Sequence, residues 1–202
     1  MLKEVRLVNM AKPDDQELHA RMRRGDREAF AELYCRHQRT VYGFALQMTA
    51  APELAEDVTQ EVFMVLMRDT GFDEQRGSLK AFLLGVTRNH VLRRLRQERS
   101  LVSIDSAVEQ AIGVDGGKDS FIESESIREM RRAILRLPAH YREVVVLCEL
   151  QELSYAEAAA VLGCAVGTVR SRLHRARQLL TERLNATPDA AVKTIESERC
   201  FA

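Results

Sequence analysis

Apolar residues recur at three- and four-residue steps along almost the whole of this 202-residue chain, and that regularity restricts the fold to helices. Phe30, Leu33, Tyr34, Val41, Phe44, Ala45 and Met48 mark one face of a long helix. Ala51-Pro52-Glu53 opens the next, with proline at its first position, a carboxylate in its first turn and the stripe Leu54, Ala55, Val58, Val62, Phe63 and Leu66. The pattern breaks between Gly71 and Gly77. Ser78 then caps a helix carrying Leu79, Phe82, Leu83, Val86, Leu92 and Leu95. Residues 14–99 read as a bundle of about four helices, after an N-terminal extension over 1–13.

Between residues 100 and 126 the helical pattern lapses into Gly, Ser and Asp with net negative charge, which predicts a flexible acidic linker with a short helix near Ile104–Ile112. Patterning returns at Ile127, Met130, Ile134 and Leu137. Pro138 opens a further helix with Tyr141, Val144, Val145 and Cys148 facing inward, and the second helical unit runs to residue 184. Residues 185–202 read as a mobile tail. Alternation over Leu2–Val8 suggests a strand, but it has no evident partner. The fold class is all-α, with two small helical domains.

No apolar run approaches the ~18–20 residues a membrane helix needs, and no signal-peptide core follows Met1. Membrane insertion and secretion are therefore not expected. Cys35, Cys148, Cys164 and Cys200 are scattered without a CxxC pair, which argues against a disulfide scaffold or zinc ribbon and for a reducing cytoplasm. Cys35 and His37 lack two further ligands nearby, so no metal is expected there. Cys148 reads as core, and Cys200 as either a redox handle or a residue without a role.

The 30 basic and 30 acidic residues cancel, but unevenly. Arg76 to Arg99 holds seven basic residues against Glu98, and Thr168 to Arg183 holds five against Glu182. Glu53, Glu56, Asp57 and Glu61 form an acidic block without a cation inside it. Two basic patches suit a polyanion held at two points; charge alone is equally met by solvated helix faces.

Leu153 onward is more informative. Ser154 and Glu157 fit a capping box, the small residues Ala156, Ala159 and Ala160 allow a close helix crossing, and Gly163 suits a left-handed helix end. After a turn through Cys164–Val166, a second helix near Gly167 or Thr168 turns Val169, Leu173, Ala176 and Leu180 inward. Its other face carries Arg170, Ser171, His174, Arg175 and Arg177, with Arg172 at the margin. That is a helix-turn-helix, whose second helix enters the major groove. The alternative is a surface hairpin with solvated arginines.

These residues carry a resemblance. GTVRSRLHRAR at Gly167–Arg177, preceded by LSYAEAAAVLG at Leu153–Gly163, closely resembles the promoter-reading C-terminal domain of extracytoplasmic-function (ECF) sigma factors of the sigma-70 family. AEDVTQEVF at Ala55–Phe63 resembles the family's polymerase-docking helix, GVTRNHVLRRLR at Gly85–Arg96 its downstream-element helix, and LPAHYREVVVL at Leu137–Leu147 the helix before the helix-turn-helix.

The resemblance implies an alternative sigma factor that binds core RNA polymerase and directs promoter-specific initiation. Asp57, Gln60 and Glu61 would dock on the clamp helices of the largest subunit, and the second domain on the flap of the second-largest. Lys80, Arg88, Asn89, Arg93, Arg94 and Arg96 would handle the minus-ten element, with the Gly71–Lys80 loop receiving a flipped base and Phe82 serving as wedge or core. Thr168, Arg170, Ser171, Arg172, His174 and Arg175 would read or grip the minus-thirty-five element. An anti-sigma factor is the expected regulator, and no cofactor is expected. A free-standing helix-turn-helix regulator would explain the second domain but leave AEDVTQEVF unexplained. A DNA-acting enzyme would need a catalytic set, and the chain carries no Gly-rich phosphate loop or HExxH motif.

Overall fold

The structure, a computed structural model, describes residues 13–68, 71–101 and 125–186. Every regular element among them is helical. Helix α1 (Asp15–Arg23) starts where Asp14 Oδ1 accepts from Glu17 N at 2.7 Å. Asp26 does the same for α2 (Arg27–Thr49), accepting from the amides of Glu28 and Ala29 at 2.9 and 3.1 Å. Each such cap satisfies helix-end donors that would otherwise lack a partner and contributes about 1 kcal/mol. Helix α2 ends at Ala50, which takes a left-handed φ of 57° without being glycine. Pro52 then starts α3 (Pro52–Met67) with the expected geometry at its first position.

A 3₁₀ turn over Glu74–Arg76 leads to α4 (Leu79–Leu101). Ser78 Oγ accepts from Ala81 N at 3.3 Å, so the expected cap forms. The periodic apolar positions of α2, α3 and α4 meet: Leu33, Val41, Phe44, Val58, Val62, Leu83, Leu84 and Val91 are fully buried. Phe72 ties the loop to this core, edge-on to His19 at 4.8 Å and tilted against Phe82 at 5.4 Å. Phe82 is thus half-buried and packed rather than projecting freely.

The second unit comprises α5 (Glu125–Leu135), α6 (Ala139–Val145), which widens into a π-helical turn over Val146–Leu150, α7 (Tyr155–Leu162) and α8 (Val166–Ala186). Ile134, Leu137, Val144 and Val145 are buried as their spacing predicts, whereas Ile127 and Met130, on the same pattern, are 48% and 41% exposed. Both expected signatures at α7 are formed. Ser154 and Glu157 close a reciprocal capping box, and Gly163 ends the helix at φ 65°, ψ 38°. Of the three small residues expected at a crossing, Ala159 is buried, while Ala156 and Ala160 are exposed.

The two units are not separate bodies. Helix α7 packs on α4, and α5, α6 and the π turn pack on α2. Buried apolar side chains from both units, from Leu18 and Phe44 to Leu147 and Leu173, form one continuous cluster. The suggested strand at Leu2–Val8, the helix near Ile104–Ile112, most of the acidic linker and tail, and Cys200 lie outside the described residues.

Candidate nucleic-acid interface

Helix α8 sorts its residues as a groove-reading helix must. Val169, Leu173 and Ala176 are at most 2% exposed, while Arg170, Ser171, His174, Arg175 and Arg177 face outward and Arg172 and Thr168 are half-buried. The helix begins at Val166, one or two residues before the start at Gly167 or Thr168 that the sequence suggests. Its arginines are differently engaged. The Arg170 guanidinium lies 5.9 Å over the Tyr155 ring of α7, a cation–π geometry that keeps the charge outward. Arg177 is drawn back to Glu149 at 2.5 Å, and Arg175 bonds Gln178 at 3.1 Å.

On α4 the expected minus-ten residues divide into two groups. Asn89, Arg93 and Arg96 are exposed. Lys80, Arg88 and Arg94 hold partners within the protein. Lys80 Nζ donates to the Gln151 carbonyl at 2.5 Å. Arg88 makes a two-pronged pair with Glu143, through Nε at 3.1 Å and Nη2 at 3.3 Å. Arg94 bonds Glu61.

Next to the N-terminal half of α4 lies a cleft of about 360 Å³ between the Gly71–Ser78 loop and α7, lined by Phe72, Arg76, Phe82, Asn89, Ala160 and Val161. The loop expected to receive a base therefore borders a real concavity. One of its walls belongs to the second unit.

Helix α3 presents a continuous exposed stripe of Glu53, Asp57, Gln60, Met64 and Met67, at alternating steps of four and three residues. Met64 and Met67, 49% and 62% exposed, extend a face that charge alone did not reveal; their spacing in line with Asp57 and Gln60 was the available signal. Glu61 sits off this stripe. One turn beyond Asp57 it has rotated far enough to meet α4, where it accepts from Arg94 and lies 2.6 Å from His90 Nδ1. Burial raises its pKa, but hydrogen bonds from Arg94 and His90 outweigh that and hold the carboxyl below the usual glutamate range.

Sequence reasoning also missed Arg142 and Glu143, one of which joins the second unit to α2 and the other to α4. Arg142 donates to the carbonyls of Met48 at 2.8 Å and Leu137 at 3.1 Å and also to that of Leu135. Burial pushes its pKa down. Glu157 accepts from Ser78 Oγ at 2.8 Å, and this bond, more than its burial, places its carboxyl below the ordinary value. Elsewhere His37 Nε2 lies 2.7 Å from Asp15, and Cys35 is exposed without forming part of any metal-ligating group among the described residues. Cys148 is half-buried, and burial raises its thiol pKa. No helix among the described residues is long and apolar enough to cross a membrane.

Comparison with known proteins agrees with this geometry. Residues 33–101 match the family model for sigma-70 region 2 and residues 127–180 that for sigma-70 region 4. The chain is 32% identical over 170 residues to the ECF RNA polymerase sigma factor SigM of Mycobacterium tuberculosis, covering 84% of each chain. It is 29% identical over 174 residues to SigW of Bacillus subtilis, another ECF sigma factor, covering 81% of this chain and 92% of that one. The sigma factor RpoE of Bartonella quintana, solved in complex with the anti-sigma factor NepR, aligns with a TM-score of 0.63 at 27% identity, over 78% of this chain and 98% of that one. With both characteristic regions present in order, the chain belongs to the ECF sigma factors of the sigma-70 family and serves promoter-directed initiation of transcription.

Proposed function

We propose that the chain reads promoters at two points while bound to core polymerase. Residues 14–99 dock and handle the minus-ten element, and residues 127–184 read the minus-thirty-five element. The observation that carries this reading is the sorting of α8, whose apolar residues are buried while Arg170, Ser171, His174 and Arg175 stand outward on a capped helix-turn-helix. Thr168 and Arg172 flank that face as phosphate contacts. Exposed Asn89, Arg93 and Arg96, joined by Lys80, Arg88 and Arg94 once their internal partners let go, supply base-edge and phosphate contacts for the opened strand.

The docking face is the α3 stripe. Asp57 and Gln60 offer a carboxylate and an amide to the basic clamp helices of the largest polymerase subunit, with Met64 and Met67 adding apolar area. Glu61, committed to α4, serves the face indirectly by fixing the two helices together. The second domain would meet the flap of the second-largest subunit. Polymerase performs the chemistry, so no catalytic residue, metal or cofactor is assigned. Acting with polymerase places the protein in the cytoplasm. An anti-sigma factor is the fitting regulator, as RpoE with NepR illustrates.

Co-elution with core bacterial RNA polymerase tests the reading. The wild-type chain forms a complex, and Asp57→Arg/Gln60→Arg abolishes it without loss of helicity. A folded wild-type chain that never co-elutes would instead favour a free-standing DNA-binding regulator.

A further inference from the structure

The methionines among the described residues differ sharply in their access to water. Met48 is 2% exposed, and Met22 is half-buried against the core. Met130, on α5, is 41% exposed. Met64 and Met67 are 49% and 62% exposed, and among the described residues no other large apolar side chain is as exposed as Met67. The two lie three residues apart at the C-terminal end of α3, in line with Asp57 and Gln60. The inward face of that turn is already filled. Val62, Phe63 and Leu66 are at most 3% exposed, and the Phe63 ring packs on Tyr34 with centroids 4.6 Å apart. Met64 and Met67 have no place in the core to turn into, so their thioethers remain at the surface.

A thioether carries apolar area and a sulfur that accessible oxidants reach. A two-electron oxidant such as hydrogen peroxide transfers one oxygen to it. The S=O bond forms as the O–O bond breaks, the sulfur gives up two electrons, and the peroxide leaves as water. The product is a polar, chiral sulfoxide with a strong acceptor oxygen. In the free chain that oxygen points into water. In a dry contact it needs a donor, and without one it weakens the contact. Oxidation at these two positions therefore acts on association and not on folding. Leucine would supply similar apolar area but could not be switched.

We propose that Met64 and Met67 are sulfoxidation sites through which a peroxide oxidant uncouples the chain from core polymerase. The proposal rests on the assignment of the α3 stripe as the docking face. It gives that face a contact whose polarity changes with oxidation state, while Asp57 and Gln60 stay as they are. Reduction by a dithiol, catalysed by a methionine sulfoxide reductase, reverses the change: the dithiol becomes a disulfide and the oxygen leaves as water.

The test uses the full chain, oxidised with hydrogen peroxide and then treated with dithiothreitol. The dithiol returns sulfenic acids and disulfides at the cysteines to thiols but leaves the sulfoxides. Peptide mass mapping locates each added oxygen. Quantitative co-elution with unoxidised core bacterial RNA polymerase reads docking, and circular dichroism reads folding. Each variant is compared with its own unoxidised form. Wild type and Met130→Leu should lose affinity at least ~tenfold on oxidation, at unchanged helicity. Met64→Leu/Met67→Leu should lose less than about twofold under the same treatment. A pair of methionine sulfoxide reductases, one for each sulfoxide epimer, should restore the oxidised wild type.

Sulfoxide at both positions with unchanged co-elution overturns the proposal. So does peroxide that oxidises Met130 but spares Met64 and Met67. An equal loss in Met64→Leu/Met67→Leu overturns it too, because the sensitive group then lies elsewhere. Asp57→Arg/Gln60→Arg, without peroxide, separates this idea from the docking assignment. If that variant still co-elutes, the α3 stripe is not the docking face, and the assignment falls with the proposal. If it does not co-elute and the oxidised wild type does, only the oxidation site falls. Should peroxide also reach Met48 and lower helicity, Met64→Gln/Met67→Gln is read without oxidation. Glutamine keeps the length of the side chain and adds a polar end. It must weaken docking more than Met64→Ala/Met67→Ala does; a smaller loss overturns the proposal.

Discussion

Arg142 Nη1 donates to the Met48 carbonyl at 2.8 Å, so a guanidinium from the second domain closes the C-terminal end of a helix in the first. The carbonyls of a last helical turn lack intrahelical donors and carry the negative end of the helix dipole, which makes them a natural seat for a cation. The same guanidinium also ties down the α5–α6 connection through Leu135 and Leu137. Arg142→Ala removes all of these bonds from a largely buried site. It should cost about 2–3 kcal/mol in denaturant unfolding. Arg142→Lys should recover only part of the loss, because one ammonium lacks the fork that reaches two helices.

The two carboxylates of AEDVTQEVF should separate in function. Asp57→Arg is expected to weaken co-elution with core polymerase at least tenfold. Glu61→Gln should change it less than threefold while lowering the thermal midpoint, since Glu61 bonds Arg94 and His90 on α4. Met64→Ala/Met67→Ala should weaken the complex at unchanged stability, as both side chains are exposed. Quantitative co-elution beside thermal unfolding reads both effects.

Glu61 illustrates what could be read in the sequence and what could not. Its spacing from Asp57 put both on the same side of α3, and that was correct to within the ~40° that four residues advance around a helix. Those degrees decide whether a carboxylate faces a partner protein or the neighbouring helix, and only the angle at which α3 meets α4 settles it. Local signals fared better. The capping box at Ser154, the left-handed Gly163, Pro52 at a helix start and the inward face of α8 all depend on residues within one turn of each other, and all are formed. Arg88–Glu143 is separated by 55 residues and joins two amphipathic surfaces, so no periodicity announces it. Ile127 and Met130 fail in the opposite direction. Their helical phase is right, but a phase does not say whether a neighbour arrives to cover it.

The depressed pKa values of Glu61 and Glu157 make stability pH-dependent with a definite sign. Their folded-state values lie below the unfolded ones, so their contribution is complete above the unfolded glutamate value of about 4.3 and is lost as pH falls through the folded values. Because Glu61 is partly exposed, its share is about 1 kcal/mol or less. The stability difference between wild type and Glu61→Gln should therefore shrink as pH falls from about 6 toward about 3. Urea unfolding across that range measures it. A difference that grows on acidification would contradict the ion-pair account.

Gly163→Ala isolates a backbone effect. A Cβ built there meets no atom within 4 Å, so the penalty comes only from the left-handed φ of 65°. It should be about 1 kcal/mol in chemical unfolding. DNA affinity at temperatures well below the melting midpoint should be unchanged, because α8 keeps its seat on Val169, Leu173 and Ala176.

The arginines of α8 should not weigh equally on the minus-thirty-five element. Arg170 is outward and braced by the Tyr155 ring, which limits the freedom it must lose on binding a base edge. Arg177 is already spent on Glu149. In holoenzyme binding to a duplex promoter, Arg170→Ala should cost about 1–3 kcal/mol and relax preference at one base position. Tyr155→Leu should reproduce a fraction of that loss with no change in base preference. Arg177→Ala should cost less than Arg170→Ala and weaken all sequences alike, because any contact it makes reaches only phosphate. Measuring the three variants against a library randomised over the element separates the cases: a preference shift belongs to Arg170 alone. If Arg177 shifted preference as strongly, Glu149 would be a partner it leaves on binding, and the ion pair would belong to the unbound protein only.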